Sequence, residues 1–97
     1  MKVFITQKVH KNIKEFYDYA LSHHEALDEI TVMHKVQRLY DSLESLGGYA
    51  NIYPMARLKT EWIDNNYREY ICEDFHFAYK IYVLDNEEIV IVHDAVS

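Results

Sequence analysis

The sequence predicts an α+β domain of order β-α-α-β-β-β, an antiparallel sheet with a helical hairpin packed on one face. Three observations carry this expectation. Residues 67 to 93 read as three strands in a row, rich in the β-branched and aromatic residues that a pleated, half-buried surface accommodates. Two stretches ahead of them repeat apolar residues at three and four positions, which is the helical period. Each of those stretches has a single apolar stripe, so each must lie on something, and the sheet is the only candidate.

Lys2 to Thr6 reads as the first strand, with Val3 and Ile5 on one face and Phe4 on the other. Gln7 to about Leu21 fits the first helix. Its stripe is Val9, Ile13, Phe16, Tyr17, Ala20 and Leu21, while His10, Lys11, Lys14, Glu15 and Asp18 fall outside it. Ser22 can cap a second helix, with Glu25 reaching back from three positions on. That helix is expected from about His24 to Leu46. Its stripe is Leu27, Ile30, Met33, Val36, Leu39, Tyr40, Leu43 and Leu46. Gly47-Gly48 should end it, with glycine supplying a left-handed residue. Residues 49 to 66, with Pro54, Arg57, Lys59 and Trp62, read as an irregular connection.

The three closing strands are expected at Tyr67–Ile71, Phe75–Val83 and Ile89–His93, with Asp74 and Asp85-Asn86 as turn residues. In the middle strand Phe75, Phe77, Tyr79, Ile81 and Val83 should face the helices. His76, Ala78, Lys80 and Tyr82 should face the other way. Pairing Ile71 with Phe75 leaves Cys72-Glu73-Asp74 as a three-residue loop. It puts Tyr70 opposite His76 and Arg68 opposite Ala78, and a two-residue Asp85-Asn86 turn puts His93 opposite Ala78 as well.

Ninety-seven residues make one domain, 1–97, able to bury one core. The 49% hydrophobic content is that of a globular chain. Nine tyrosines suit half-exposed sheet faces and interfaces. One cysteine, Cys72, permits no internal disulfide and fits a reducing cytoplasm; it reads as a small residue near a strand end. No apolar run approaches the roughly 20 residues a membrane helix needs, and the N-terminus reads as a strand, not a signal peptide. The formal net charge is −6 and uneven: residues 1 to 60 carry +1 and residues 61 to 97 carry −7. An acidic chain is a poor general binder of polyphosphate, since that affinity comes from Lys and Arg.

The expected open face carries Arg68, Tyr70, His76, Lys80, Tyr82 and His93. A histidine near its ordinary pKa can take a proton from a ribose 2′-hydroxyl. Arg and Lys can stabilise charge on a phosphate. Tyr can stack on an exposed base. The same residues also suit a plain solvated face. No glycine-rich phosphate loop is present, His23-His24-Glu25 and His34 lack metal-ligand spacing, and no cofactor is expected.

The chain resembles the RelE/ParE superfamily, the toxins of bacterial type II toxin–antitoxin pairs. The opening Val3-Phe4-Ile5-Thr6 and the helix with Ile13-Lys14-Glu15-Phe16-Tyr17-Asp18-Tyr19 are similar to a ParE-type plasmid stabilisation start. The end of the second helix, Leu43-Glu44-Ser45-Leu46, and the hairpins of residues 67–71, 75–82 and 88–93 are similar too. The resemblance implies a twisted antiparallel sheet with two helices on one face, and an antitoxin partner that wraps it. It implies one of two targets. RelE-like members cleave mRNA on the ribosome without metal, and ParE-like members poison DNA gyrase.

Carried over by position, Arg68 matches a basic RNA contact. His76 falls where the cleaving branch has an arginine for transition-state charge, Tyr70 where it has a lysine, and Lys59 near another basic position. With His93 as an alternative base, Arg68, His76 and His93 are the expected catalytic set, and Lys59, Tyr70, Lys80 and Tyr82 the RNA- or partner-binding set. The cleaving branch also has an Arg and a Tyr after the last strand, where this sequence has only Asp94-Ala95-Val96-Ser97. The alternative to a toxin is a non-catalytic interaction module that binds a partner peptide or self-associates, for example as a homodimer.

Overall fold

In the computed structural model, residues 1–24 and 26–97 are described. The elements are β1 (Lys2–Ile5), α1 (Gln7–His23), α2 (Glu29–Ser45), a 3₁₀ turn (Leu46–Gly48), α3 (Thr60–Asp64), β2 (Arg68–Cys72), β3 (Phe75–Leu84) and β4 (Glu87–Val96). The four strands form one sheet in the order β1-β4-β3-β2. β2, β3 and β4 pair antiparallel, but β1 joins β4 in parallel, so the sheet is mixed where an antiparallel one was expected. The long α1–α2 excursion is what allows it: a chain returning from a helical layer can enter the sheet in either direction.

Both helices lie on one side of the sheet. Val9, Ile13 and Tyr17 of α1 and Val32, Leu39 and Leu43 of α2 meet Phe75, Phe77, Tyr79, Val90 and Val92 in one buried cluster. Of the five β3 residues expected to face the helices, Phe75, Phe77 and Tyr79 are fully enclosed and Ile81 is half-buried against the cluster, while Val83 lies beyond the helical layer and is exposed. The Tyr79 hydroxyl donates to the Ala50 carbonyl at 2.6 Å, and burial pushes its pKa up to about 12.

The second helix starts later than the sequence indicated. Its N-cap is Asp28, whose carboxylate accepts from the Thr31 amide at 2.7 Å. Ser22 instead lies inside α1, donating to the Tyr19 carbonyl, and Glu25 is outside the described residues. Gly47-Gly48 do not end α2 through a left-handed residue, because neither has positive φ. The requirement at Gly47 is space. A Cβ there would sit 1.9 Å from the Met1 carbonyl oxygen, and the Met1 ammonium donates to the Gly47 carbonyl at 3.1 Å.

The β2–β3 register is one residue away from the expected one. Cys72 pairs with Phe75, so the turn is the two-residue Glu73-Asp74, with Glu73 at φ 51°. Arg68 therefore pairs with Tyr79 and Tyr70 with Phe77, on the helix side. A one-residue slip reverses every side chain of a strand. Tight two-residue turns match the twist of paired strands, and Asp85 and Asn86, both at positive φ, close β3–β4 in the same way.

Candidate functional site: the histidine face of the sheet

The side of the sheet away from α1 and α2 is only partly open. Residues 49–66 are not merely irregular: they contain α3, which lays Trp62 over the sheet with Ala56, Ala78, Tyr67 and Val96. A β-bulge explains what Trp62 meets. Pairing runs Tyr79 to Val92, then Ala78 to Asp94, so His93 is the extra residue and does not oppose Ala78. A bulge re-aims side chains locally. Here His93 and Asp94 both serve the α3 side, one beside Tyr67 and Tyr82, the other beneath Trp62.

Asp94 is 3% exposed. The Trp62 indole N–H donates to its Oδ2 at 2.9 Å, and the Ala95 amide donates to Oδ1 at 2.9 Å. Lys8 and Lys59 approach the two oxygens at 3.4 and 3.5 Å, with their own side chains about half in water. Burial alone would raise this carboxyl. The indole and amide hydrogen bonds and the two ammonium groups outweigh burial and hold the pKa below the ordinary value.

Beside it, His93 Nε2 and the Tyr82 hydroxyl are 2.8 Å apart. The imidazole stacks on Tyr67 with centroids 4.8 Å apart, and Tyr82 meets it edge-on. Lys80 lies over the Tyr82 ring and donates to the Asn65 carbonyl. Burial, helped by the Lys80 charge, lowers the His93 pKa. The imidazole is thus held neutral near pH 7, the form that can accept a proton. The Tyr67 phenol is raised by burial, with the Tyr82 and Glu61 charges adding to it.

The structure brings together three of the residues nominated from sequence, His93, Lys80 and Tyr82. Lys59 instead reaches Asp94 and lies over the Trp62 ring. His76 is on the same side of the sheet but apart, paired with Val96, four residues or roughly 13 Å along β3 from Lys80. Its Nδ1 meets Glu69 Oε2 at 3.1 Å, and Glu69 Oε1 is buried without a hydrogen-bond partner among the described residues. Arg68 and Tyr70 are corrected: both are on the helix side. Arg68 donates to the Tyr53 carbonyl at 2.6 Å, and Tyr70 packs on Tyr53 and the main core. The nominated catalytic set of Arg68, His76 and His93 therefore does not converge.

Tyr67, Asp94, Trp62 and Lys8 were not nominated. A lone tryptophan in a loop, and an acidic residue directly after a β-branched strand, were the available signals. Lys8 had none, since it reads as a solvated helix position. Among the described residues no group of three or more His, Cys, Asp or Glu is placed to hold a metal ion, and no helix is long and apolar enough to cross a membrane. No protein-family model, curated protein or solved structure matches the chain.

Proposed function

We propose that this chain is a growth-inhibiting toxin of the RelE/ParE kind, partnered by an antitoxin, and that it acts by gripping a protein target of the DNA gyrase class. The observation that supports the toxin reading is the architecture. A β-α-α-β-β-β order with the helical hairpin on one side of the sheet is what the resemblance implies, with the difference that β1 joins β4 in parallel. This is an argument from fold-level analogy. Support for a protein target over mRNA comes from the site. Arg68 and Tyr70 are turned away from His76 and His93, so the one arginine of the expected catalytic set is not on the face that carries the histidines. The acidic balance of residues 61–97 acts in the same direction.

A second reading, metal-independent RNA cleavage, is favoured by one observation. A neutral His93, with Lys80 and two tyrosine rings beside it, has the makings of a general base next to a phosphate and base platform. Induced expression separates the readings. Growth should stop, DNA damage should follow, and purified protein should inhibit gyrase supercoiling. Growth arrest with transcripts cut at codon boundaries, lost in His93→Gln, would replace the protein target by RNA. Unimpaired growth would remove the toxin reading and leave an interaction module.

A further inference from the structure

Hydrogen-bonding parity along β3 leaves part of its backbone open. Leu84 and Glu87 flank the two-residue Asp85-Asn86 turn, and such flanking residues form a hydrogen-bonded pair. Lys80, Tyr82 and Leu84 then bond toward β4, while Tyr79, Ile81 and Val83 point the other way. The second hairpin gives the same answer independently. Cys72 and Phe75 flank Glu73-Asp74, so Phe75, Phe77 and Tyr79 bond toward β2. β2 begins at Arg68, opposite Tyr79, and covers nothing beyond it. Among the described residues, the N–H and C=O groups of Ile81 and Val83 have no backbone partner outside the ladder. The outer edge of β2 is treated differently, because residues 54–56 shield it: the Ala56 amide donates to Tyr67 at 2.8 Å and the Glu69 amide to Pro54 at 3.0 Å. The bare β3 edge also bears exposed apolar groups, Val83 at 72% and Leu84 at 57%. A free, apolar strand edge is a template for another strand.

We propose that a second copy of this chain docks on that edge, the two β3 strands pairing antiparallel about a two-fold axis at Tyr82. The edge is self-complementary in this register. Ile81 of one copy faces Val83 of the other, each such pair exchanges both backbone bonds, and Tyr82 faces Tyr82 on the axis. Charge selects the occupant. The hairpin tip carries Asp85, Glu87 and Glu88, and in this register the tip of one copy arrives beside Lys80 and Arg68 of the other. A groove of about 310 Å³ borders this edge, lined by Met55, Asn66, Arg68, Lys80, Ile81 and Glu88 among others. The dimer would also bring both His93–Tyr82 pairs to the axis.

Sedimentation of the full chain across a concentration series tests this. A reversible dimer is expected, weakening as salt screens the acidic tip from the Arg68–Lys80 end. Val83→Pro should shift the chain to monomer, since the lost N–H points away from β4 and proline is tolerated at such an edge position. Tyr82→Cys in a Cys72→Ser background should oxidise to a cross-linked dimer, because facing residues of a non-hydrogen-bonded pair lie within disulfide reach. A chain that stays monomeric at every concentration overturns the proposal. So does a dimer that survives Val83→Pro, or one in which Tyr82→Cys does not cross-link. The toxin reading can fail in growth assays without touching any of these outcomes.

Discussion

Asp94 is the residue on which the α3 side of the sheet turns. An isolated carboxylate removed from water is costly, and this one is removed almost completely. Its two direct donors, the Trp62 indole and the Ala95 amide, and the two lysines at its rim make the burial tolerable. Replacing it by alanine would leave the enclosed Trp62 N–H without a partner. Asp94→Ala should therefore lower the unfolding free energy by about 3 kcal/mol, read by urea denaturation, since hydrogen bonds to charged groups contribute roughly 1.5–3 kcal/mol each. A cost near zero would mean that water replaces the carboxylate freely. His93 gives a pH dependence of definite sign. Its pKa is lowered in the fold from 6.5, so below that value the unfolded chain takes up the proton first. Its contribution is thus present above pH 6.5 and is lost as pH falls through the depressed folded value. The denaturation midpoint should fall across this range, and His93→Gln should remove that part of the fall. A midpoint that rises on acidification in the wild type but not in His93→Gln would contradict the lowered pKa.

The elements differ in how openly the sequence declares them. α1 and the helix-facing residues of β3 were legible because their apolar spacing matches one period and the core enforces it. The start of α2 was not. Ser22 and Asp28 are both good caps, and the choice fell to Asp28, which accepts from the Thr31 amide, while Ser22 is absorbed into α1. The β2 register turned on one residue of loop length. Cys72-Glu73-Asp74 and Glu73-Asp74 are both hairpin loops, and β2 has no strong alternation to choose between them: Arg68, Glu69, Tyr70 and Cys72 are all half-buried. That single residue moved Arg68 and Tyr70 off the nominated site. The bulge at His93 was equally invisible, since only pairing with Ala78 and Tyr79 reveals it, yet it sets Asp94 beneath Trp62. What was legible of the site, His93 with Lys80 and Tyr82, was so because β3 and its two-residue turn to β4 fixed the face.

At the scale of the molecule, two unequal apolar layers share one sheet. The helical layer encloses a large core. The α3 layer encloses Ala56, Trp62 and Ala78, and it hangs on few backbone bonds: Ala56 to Tyr67, Glu69 to Pro54, and Tyr67 to Trp62. A helix of five residues has no stability of its own. The layer therefore depends on Trp62, whereas the sheet does not depend on the layer to the same degree. Two truncations should separate them by amide hydrogen exchange. Phe77→Ala removes a ring from the main core at a cost of about 3–5 kcal/mol, which is comparable to the whole stability of many small domains. It should accelerate exchange throughout the sheet. Trp62→Ala should act locally, because opening the layer lets water reach Asp94 and so relieves the burial that Trp62 had made tolerable. The Ala56, Tyr67 and Glu69 amides should then lose protection while Phe77, Tyr79, Val90 and Val92 keep theirs. An equal loss at both sets of amides would show that the two layers unfold as one unit and that the α3 layer is integral to the fold.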